Sequence, residues 1–291
     1  MNDVAAVLAQ VNQHHATRWS LVQKLPGGYL RGAYELRGAD GTRAVLKWYP
    51  RDLSPRQLSD AGAAIERIRL RGWPTSRWLA FGSLANEGTY VIEEFIAGDV
   101  PRTLGASGLD QLMRANALQA GVRPTTDQDW STYIYSVVFE GKADLAAQMR
   151  DRRPTANLLR RLERFTAEAK GAPLPNDDLV HGDFVLRNMI QRDRDLYLVD
   201  AAHAGKGTRF YDLASLLLET TVERMWADGS LGPRLREECV AMAGPATLTV
   251  CVAGRMLHLL AFGEPWSDSE LIPLVAACDR FVDDLERSLI R

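Results

Sequence analysis

The chain is poor in cysteine, carries almost no net charge and has no long apolar run. Its three cysteines, Cys239, Cys251 and Cys278, are odd in number and lack C-x-x-C spacing. That excludes a zinc knuckle or a disulfide framework and fits buried or free thiols in a reducing compartment. A formal net charge of −2 gives no basis for a broad nucleic-acid surface. No apolar stretch approaches a membrane span, and residues 1–20 lack the basic start and apolar core of a signal peptide. A cytoplasmic monomer or dimer without nucleic-acid or membrane partners is expected. There is no internal repeat and no low-complexity linker.

The charge that is present is unevenly spread. From Gly171 onward, 19 acidic and 12 basic residues give −7, which leaves +5 for the preceding part. An acidic second half suits a cationic ligand and a basic first half suits phosphates; unequal solvated surfaces account for it equally well. With 291 residues, 46% of them hydrophobic, the chain can build one large domain or two small ones.

Val4, Val7, Leu8 and Val11 recur at helical spacing, so a short amphipathic helix opens the chain. Leu21–Lys24, Ala33–Arg37 and Arg43–Tyr49 read as strands, joined at Pro26-Gly27-Gly28 and Ala39-Asp40-Gly41. On the third, Val45, Lys47 and Tyr49 face one way and Ala44, Leu46 and Trp48 the other. A lysine inside an apolar strand is costly unless paired or functional. Ser54 with Gln57 forms a capping-box pattern, Pro55 occupies the first helical turn, and Gly72 and Pro74 stop the helix. Trp78–Gly82 and Thr89–Phe95 complete a five-stranded sheet. Beyond Ala97 the pattern turns helical, over Leu109–Ala120, Asp129–Ala147, Ala156–Lys170, Asp212–Asp228, Arg234–Ala243, Leu248–Phe262 and Asp268–Ile290. The fold class expected is α+β: a small antiparallel sheet, then a mainly helical part.

The most informative stretch runs from Leu179 to Asp200. Leu179-Val180 and Met189-Ile190 are apolar runs bounding a polar loop with Asp183 and Asn188, and Tyr197-Leu198-Val199 delivers Asp200. The charged turn Gln191–Asp195 makes the last two runs a hairpin, which sets Asn188 and Asp200 side by side. Two neighbouring oxygen ligands suit Mg²⁺. An Asp, an Asn five residues on and a second Asp after a hairpin match the phosphoryl-transfer apparatus of kinase-type folds.

His181-Gly182-Asp183 with Asn188, then Asp200, then Tyr211-Asp212-Leu213-Ala214, resembles the aminoglycoside phosphotransferase / choline kinase-like family. The resemblance implies a bilobal protein-kinase-like fold, with residues 1–97 as a nucleotide-binding lobe, a hinge near 93–97, and residues 98–291 as a helical lobe holding the catalytic loop and acceptor pocket. It implies Mg²⁺ and ATP or GTP. Asp183 would face the acceptor hydroxyl, Asn188 and Asp200 would hold the metal, His181 would be scaffold, and Asp212 would brace the loop. Lys47 resembles the lysine that grips the nucleotide phosphates, with Val45 lining the adenine slot. Glu66, the only glutamate on its helix, is the expected partner of Lys47. Gly27-Gly28 lie where a phosphate-covering loop would run, or form a plain turn. Backbone groups near Glu94 and Ile96 would meet the purine. Where many members follow the second Asp with Trp-Glu or a similar pair, this chain has Ala201-Ala202-His203, so substrate contacts there do not carry over.

Only Ala201–Tyr211 separate Asp200 from Asp212, too short a segment to cradle a peptide, so a small hydroxylated acceptor is expected. Candidates for recognising a cation are Glu219, Glu223 and Asp228 on one helix, then Asp268 and Glu270 near Trp266. Trp226 and Trp266 either wall the pocket or pack; Arg187 either reaches the γ-phosphate or braces the loop; His203 is expected to be structural. The leading expectation is an O-phosphotransferase acting on an aminoglycoside or other cationic antibiotic. A metabolic kinase for choline, a sugar or an amino alcohol is the alternative, and a catalytically silent nucleotide-binding regulator the second.

Overall fold

The computed structural model describes residues 4–26, 32–49, 53–84, 88–142, 145–150, 152–262 and 267–289. β1 (Ser20–Lys24), β2 (Ala33–Arg37), β3 (Arg43–Tyr49), β4 (Trp78–Leu84) and β5 (Gly88–Glu94) form an antiparallel sheet in the order β1-β2-β3-β5-β4. Alternation along β3 gives that sheet two unlike faces. Ala44, Leu46 and Trp48 join Leu36, Tyr90 and Ile92 under α1 (Val4–His15), which contributes Val7, Leu8 and Val11. On the other face Tyr49 packs with Leu58, Val91 and Ala202. Lys47 therefore looks toward the helical part.

α2 (Pro55–Arg69) starts as its sequence predicts. Gln57 N–H donates to Ser54 Oγ at 3.2 Å and Ser54 N–H to Gln57 Oε1 at 2.9 Å, which satisfies two otherwise free donors. Its buried face is Leu58, Ala61, Gly62, Ala64, Ile65 and Ile68. Gly62 admits the Trp78 ring, which would stand 3.1 Å from a Cβ there. Ala61, Ala64, Ile65 and Ile68 merge with the core of the helical part, alongside Phe184, Leu198 and Leu213. Each Ile or Leu so buried contributes about 1.5–3 kcal/mol.

The helical part contains α3 (Ala106–Gln119), α4 (Trp130–Phe139), α5 (Leu145–Arg150), α6 (Arg153–Phe165), α7 (Phe210–Val222), α8 (Leu231–Ala243), α9 (Pro245–Phe262) and α10 (Asp268–Leu289). Three expected helices differ most, while α3, α8 and α9 each begin one turn before the expected start. The helix from Asp129 begins there, with Asp129 Oδ1 accepting from Thr132 N–H, but ends at Phe139 because Gly141 takes φ +69°. α6 starts at Arg153, earlier than expected, since Pro154 fits a first turn that needs no N–H. α7 stops at Val222, where Arg224 turns left-handed (φ +56°), so Asp228 is not on the helix of Glu219.

Between α6 and α7 lie β6 (Asp178–Val180), the hairpin β7 (Met189–Arg192) and β8 (Asp195–Leu198), and β9 (Gly205–Gly207), which pairs with β6. β9 was not expected: Gly-Lys-Gly carries no apolar alternation. The chain leaving β5 is tied to the hairpin by paired backbone bonds between Asp99 and Gln191 at 3.1 and 2.8 Å.

Candidate active site

β6 ends at Val180 and hands on to His181, which is fully buried. Its Nε2–H donates to the Val199 carbonyl at 3.1 Å, leaving Nδ1 to accept from Asp183 N–H at 3.2 Å. One ring thus links the loop of Asp183 to the strand that delivers Asp200. Asp212, in the first turn of α7, receives His181 N–H at 2.7 Å, Gly182 N–H at 3.0 Å and Gln119 Nε2 at 2.6 Å. Burial pushes its carboxyl above the ordinary value even though His181 and these donors pull it down. Gly182 is left-handed (φ +89°), and a Cβ there would overlap the Trp130 ring.

Asp183 is the most heavily partnered side chain of the loop. Asn188 Nδ2 donates to Oδ2 at 2.6 Å and to the Asp183 carbonyl at 2.9 Å. Arg187 Nη2 reaches Oδ1 at 3.0 Å and Oδ2 at 3.3 Å, and Arg255 Nη2 from α9 reaches Oδ1 at 2.8 Å. Burial alone would raise the Asp183 carboxyl, but the Arg255 and Arg187 guanidiniums hold it below the usual carboxylate range.

Asp200 follows β8 with φ +67°, an uncommon conformation for a non-glycine residue and one concentrated at functional sites. Its Oδ1 accepts from Tyr49 OH at 2.8 Å and lies 3.6 Å from Lys47 Nζ. Burial opposes its charge, and Lys47 with the Tyr49 bond outweighs that, so its carboxyl also lies low. Asn188 and Asp200 are neighbours by backbone, since Val199 N–H donates to the Asn188 carbonyl at 2.9 Å.

The partner of Lys47 is not Glu66. Lys47 Nζ lies 2.5 Å from Glu93 Oε1, on β5, and Ser76 Oγ backs that carboxylate at 2.6 Å. Glu66 points outward and pairs with Arg69 at 2.7 Å. The reason is visible in α2, whose inner face presents only apolar residues and glycine. Lys47 Nζ is buried and ion-paired with Glu93 and Asp200, and an ammonium with three donors can still meet a phosphate oxygen. Val45 shares its face and is buried. Glu94 N–H is taken by the Arg77 carbonyl at 2.8 Å, while Ile96 N–H makes no hydrogen bond among the described residues. Gly27, Gly28 and Trp266 lie outside the described residues.

Fit to a divalent cation can be judged from the donor set. Asn188 spends its amide nitrogen on Asp183, its oxygen makes no hydrogen bond among the described residues, and Asp200 is a carboxylate 40% exposed. A hard cation carried by phosphates takes such a pair.

The acidic candidates for an acceptor fare differently. Glu219 is buried and closed upon Arg187, at 2.7 Å, and Arg255, so it offers no free charge. Asp228 accepts from Ser230 N–H at 2.7 Å, and Glu270 caps its own helix through Ser267 N–H at 2.9 Å and Oγ at 2.6 Å; both are fully exposed. Asp268 is exposed in the first turn of α10. Glu223, exposed at the end of α7, makes no ion pair among the described residues; partial desolvation and the neighbouring Glu219 raise its carboxyl. Trp226 packs on Gly232 and donates to Thr221 at 3.2 Å, and His203 sets its carbonyl on Trp130 Nε1 at 3.0 Å. Arg255 was missed. A lone arginine in the apolar run Leu248–Phe262 was the signal that marked it.

The sequence profile of the phosphotransferase enzyme family matches residues 21–249. No curated protein matches the chain. Among solved structures, a thermostable mutant of aminoglycoside phosphotransferase APH(4)-Ia is 16% identical with a TM-score of 0.68, covering 94% of this chain and 97% of that one. APH(3'')-Id from Streptomyces rimosus ATCC10970 is 19% identical (TM-score 0.55; 88% and 99% covered). The amicoumacin kinase hAmiN, solved with AMP-PNP and Ca²⁺, is 12% identical (TM-score 0.66; 97% and 94% covered). At these identities the likeness is one of fold: a five-stranded sheet followed by a mainly helical part.

Proposed function

Because the chain belongs to the phosphotransferase enzyme family and is thus an ATP-dependent kinase, we propose that it moves the γ-phosphoryl group of a nucleoside triphosphate to a hydroxyl of a small cationic antibiotic. The observation that carries the reading is the seat of Asp183, with Asn188 Nδ2 2.6 Å from its Oδ2 and Asp200 just past the end of β8. Asp183 orients the hydroxyl and takes its proton as the new bond to phosphorus forms; Lys47 neutralises phosphate oxygens. Asn188 and Asp200 would hold Mg²⁺, which supplies charge neutralisation at the phosphates when bound. A small acceptor agrees with the use made of Ala201–Tyr211, which turns once, pairs β9 with β6 and enters α7.

A cationic acceptor is favoured by Glu223, whose raised carboxyl lies near the Asp183 network without an ion pair among the described residues, and by the neighbours solved with hygromycin B and with streptomycin. Mg²⁺-dependent release of ADP and GDP, measured over aminoglycosides, peptide antibiotics, choline and sugars, tests it. Stimulation by a cationic antibiotic is expected, with Glu223→Gln raising the KM for that acceptor by about 5- to 10-fold and leaving the nucleotide KM alone. Stimulation by choline or a sugar only would overturn the acceptor class and leave the kinase.

A further inference from the structure

A carboxylate on a loop has two free side-chain torsions, and fixing it needs a partner outside that loop. Of the side chains bonded to Asp183, Arg187 and Asn188 belong to its own loop, whereas Arg255 comes from the middle of α9. Arg255 is itself held. Its Nε donates to Glu219 Oε1 at 2.9 Å, its Nη2 closes on the same oxygen, and Glu219 projects from the buried stretch of α7. Charges alternate through Arg187, Glu219, Arg255 and Asp183. Withdrawing such groups from water costs about as much as their attraction returns, so the network is weak evidence for stability. It does fix direction. The two arginines are unequal in this: the Arg187 side chain is 46% exposed and that of Arg255 is 9%.

We propose that Arg255, seated on Glu219, is a positioning residue of the reaction: it anchors Asp183 through Oδ1, so that the Oδ2 side, beside Asn188, is turned to the acceptor hydroxyl. The inference rests on the role given above to Asp183. It assigns Arg187 a lesser part, because that side chain, though also held by Glu219 at 2.7 Å, is half-exposed and belongs to the same loop as the carboxylate. Arg255→Met leaves Glu219 paired with Arg187 at 2.7 Å, so the variant keeps a partner for its buried carboxylate.

The test is a double-mutant cycle on the full chain, with Mg·ATP and water standing in as acceptor. ADP affinity and melting temperature are followed for each variant. Arg255→Met is expected to lower kcat about 10- to 100-fold with the KM for ATP within about twofold, because a small misplacement of a reacting group has that effect. Arg255→Lys should recover part of it, and Glu219→Gln should fall in between. Asp183→Asn combined with Arg255→Met should be no slower than Asp183→Asn alone, since a residue acting through another adds nothing once that other is gone. Additive losses in the cycle, unchanged kcat in Arg255→Met, or losses that track ADP affinity and melting temperature would overturn the proposal. Parent-like turnover in Asp183→Asn would instead remove the role of Asp183, and the inference would fall with it.

Discussion

At the scale of single residues, the site is a set of polar groups whose partners decide what each can do. Asp183, Asn188 and Asp200 were legible because their spacing and the apolar runs around them are local in sequence. Glu93 and Arg255 were not, because each meets its partner only through the fold: Glu93 lies on the strand beside that of Lys47, opposite Val45, and Arg255 is 72 residues from Asp183. Glu66 drew attention as the only glutamate on α2, yet burial of the opposite face turns it to solvent and Arg69. The contrast gives a clean comparison. Glu93→Gln should raise the KM for ATP by about 5- to 20-fold, as the ammonium loses the charge that aims it, while Glu66→Gln stays within about twofold. Equal effects in the two variants would contradict the pairing seen here.

At the scale of elements, the existence of each helix was read more reliably than its boundaries: α3, α6, α8 and α9 begin before their expected starts, and α4, α6 and α7 end before their expected ends. The capping box of α2 forms both hydrogen bonds where the sequence placed it, and α4 begins at its expected position with Asp129 as its cap. Helix ends moved because they depend on a residue turning left-handed, as at Gly141 and Arg224, and apolar periodicity is silent on that. β9 escaped because its pairing with β6 uses backbone groups and asks nothing of the side chains. Ser54→Ala removes the acceptor for Gln57 N–H and should cost about 1 kcal/mol in chemical denaturation. A midpoint unchanged from the parent would mean that the cap carries no stability.

At the scale of the whole molecule, α2 is covalently part of the sheet region yet packs into the core of the helical part, so the two are joined by more than a linker. The sheet's outer face, with α1, forms a separate apolar group. One half-buried histidine reports on the joined core. His258 on α9 sits between Tyr133, Gly254 and the Arg255–Asp183 pair, and burial first, then Arg255, lower its pKa to about 4. Unfolded, the same ring titrates near the ordinary histidine value of 6.5. Between those values the unfolded chain binds the extra proton, so stability falls as pH drops from 6.5 toward 4 and levels off below. The share belonging to His258 is at most about 3 kcal/mol. Urea midpoints of the parent and His258→Gln across that window check it: the parent should be the steeper of the two, and parallel curves would refute the assignment.

The central claim is that Asp183 faces the reacting hydroxyl while the nucleotide and its metal are held by other residues. The most direct measurement is turnover of Asp183→Asn beside its affinity for Mg·ADP. The account predicts turnover lower by about 10²- to 10⁴-fold with affinity unchanged; turnover within about threefold of the parent would contradict it.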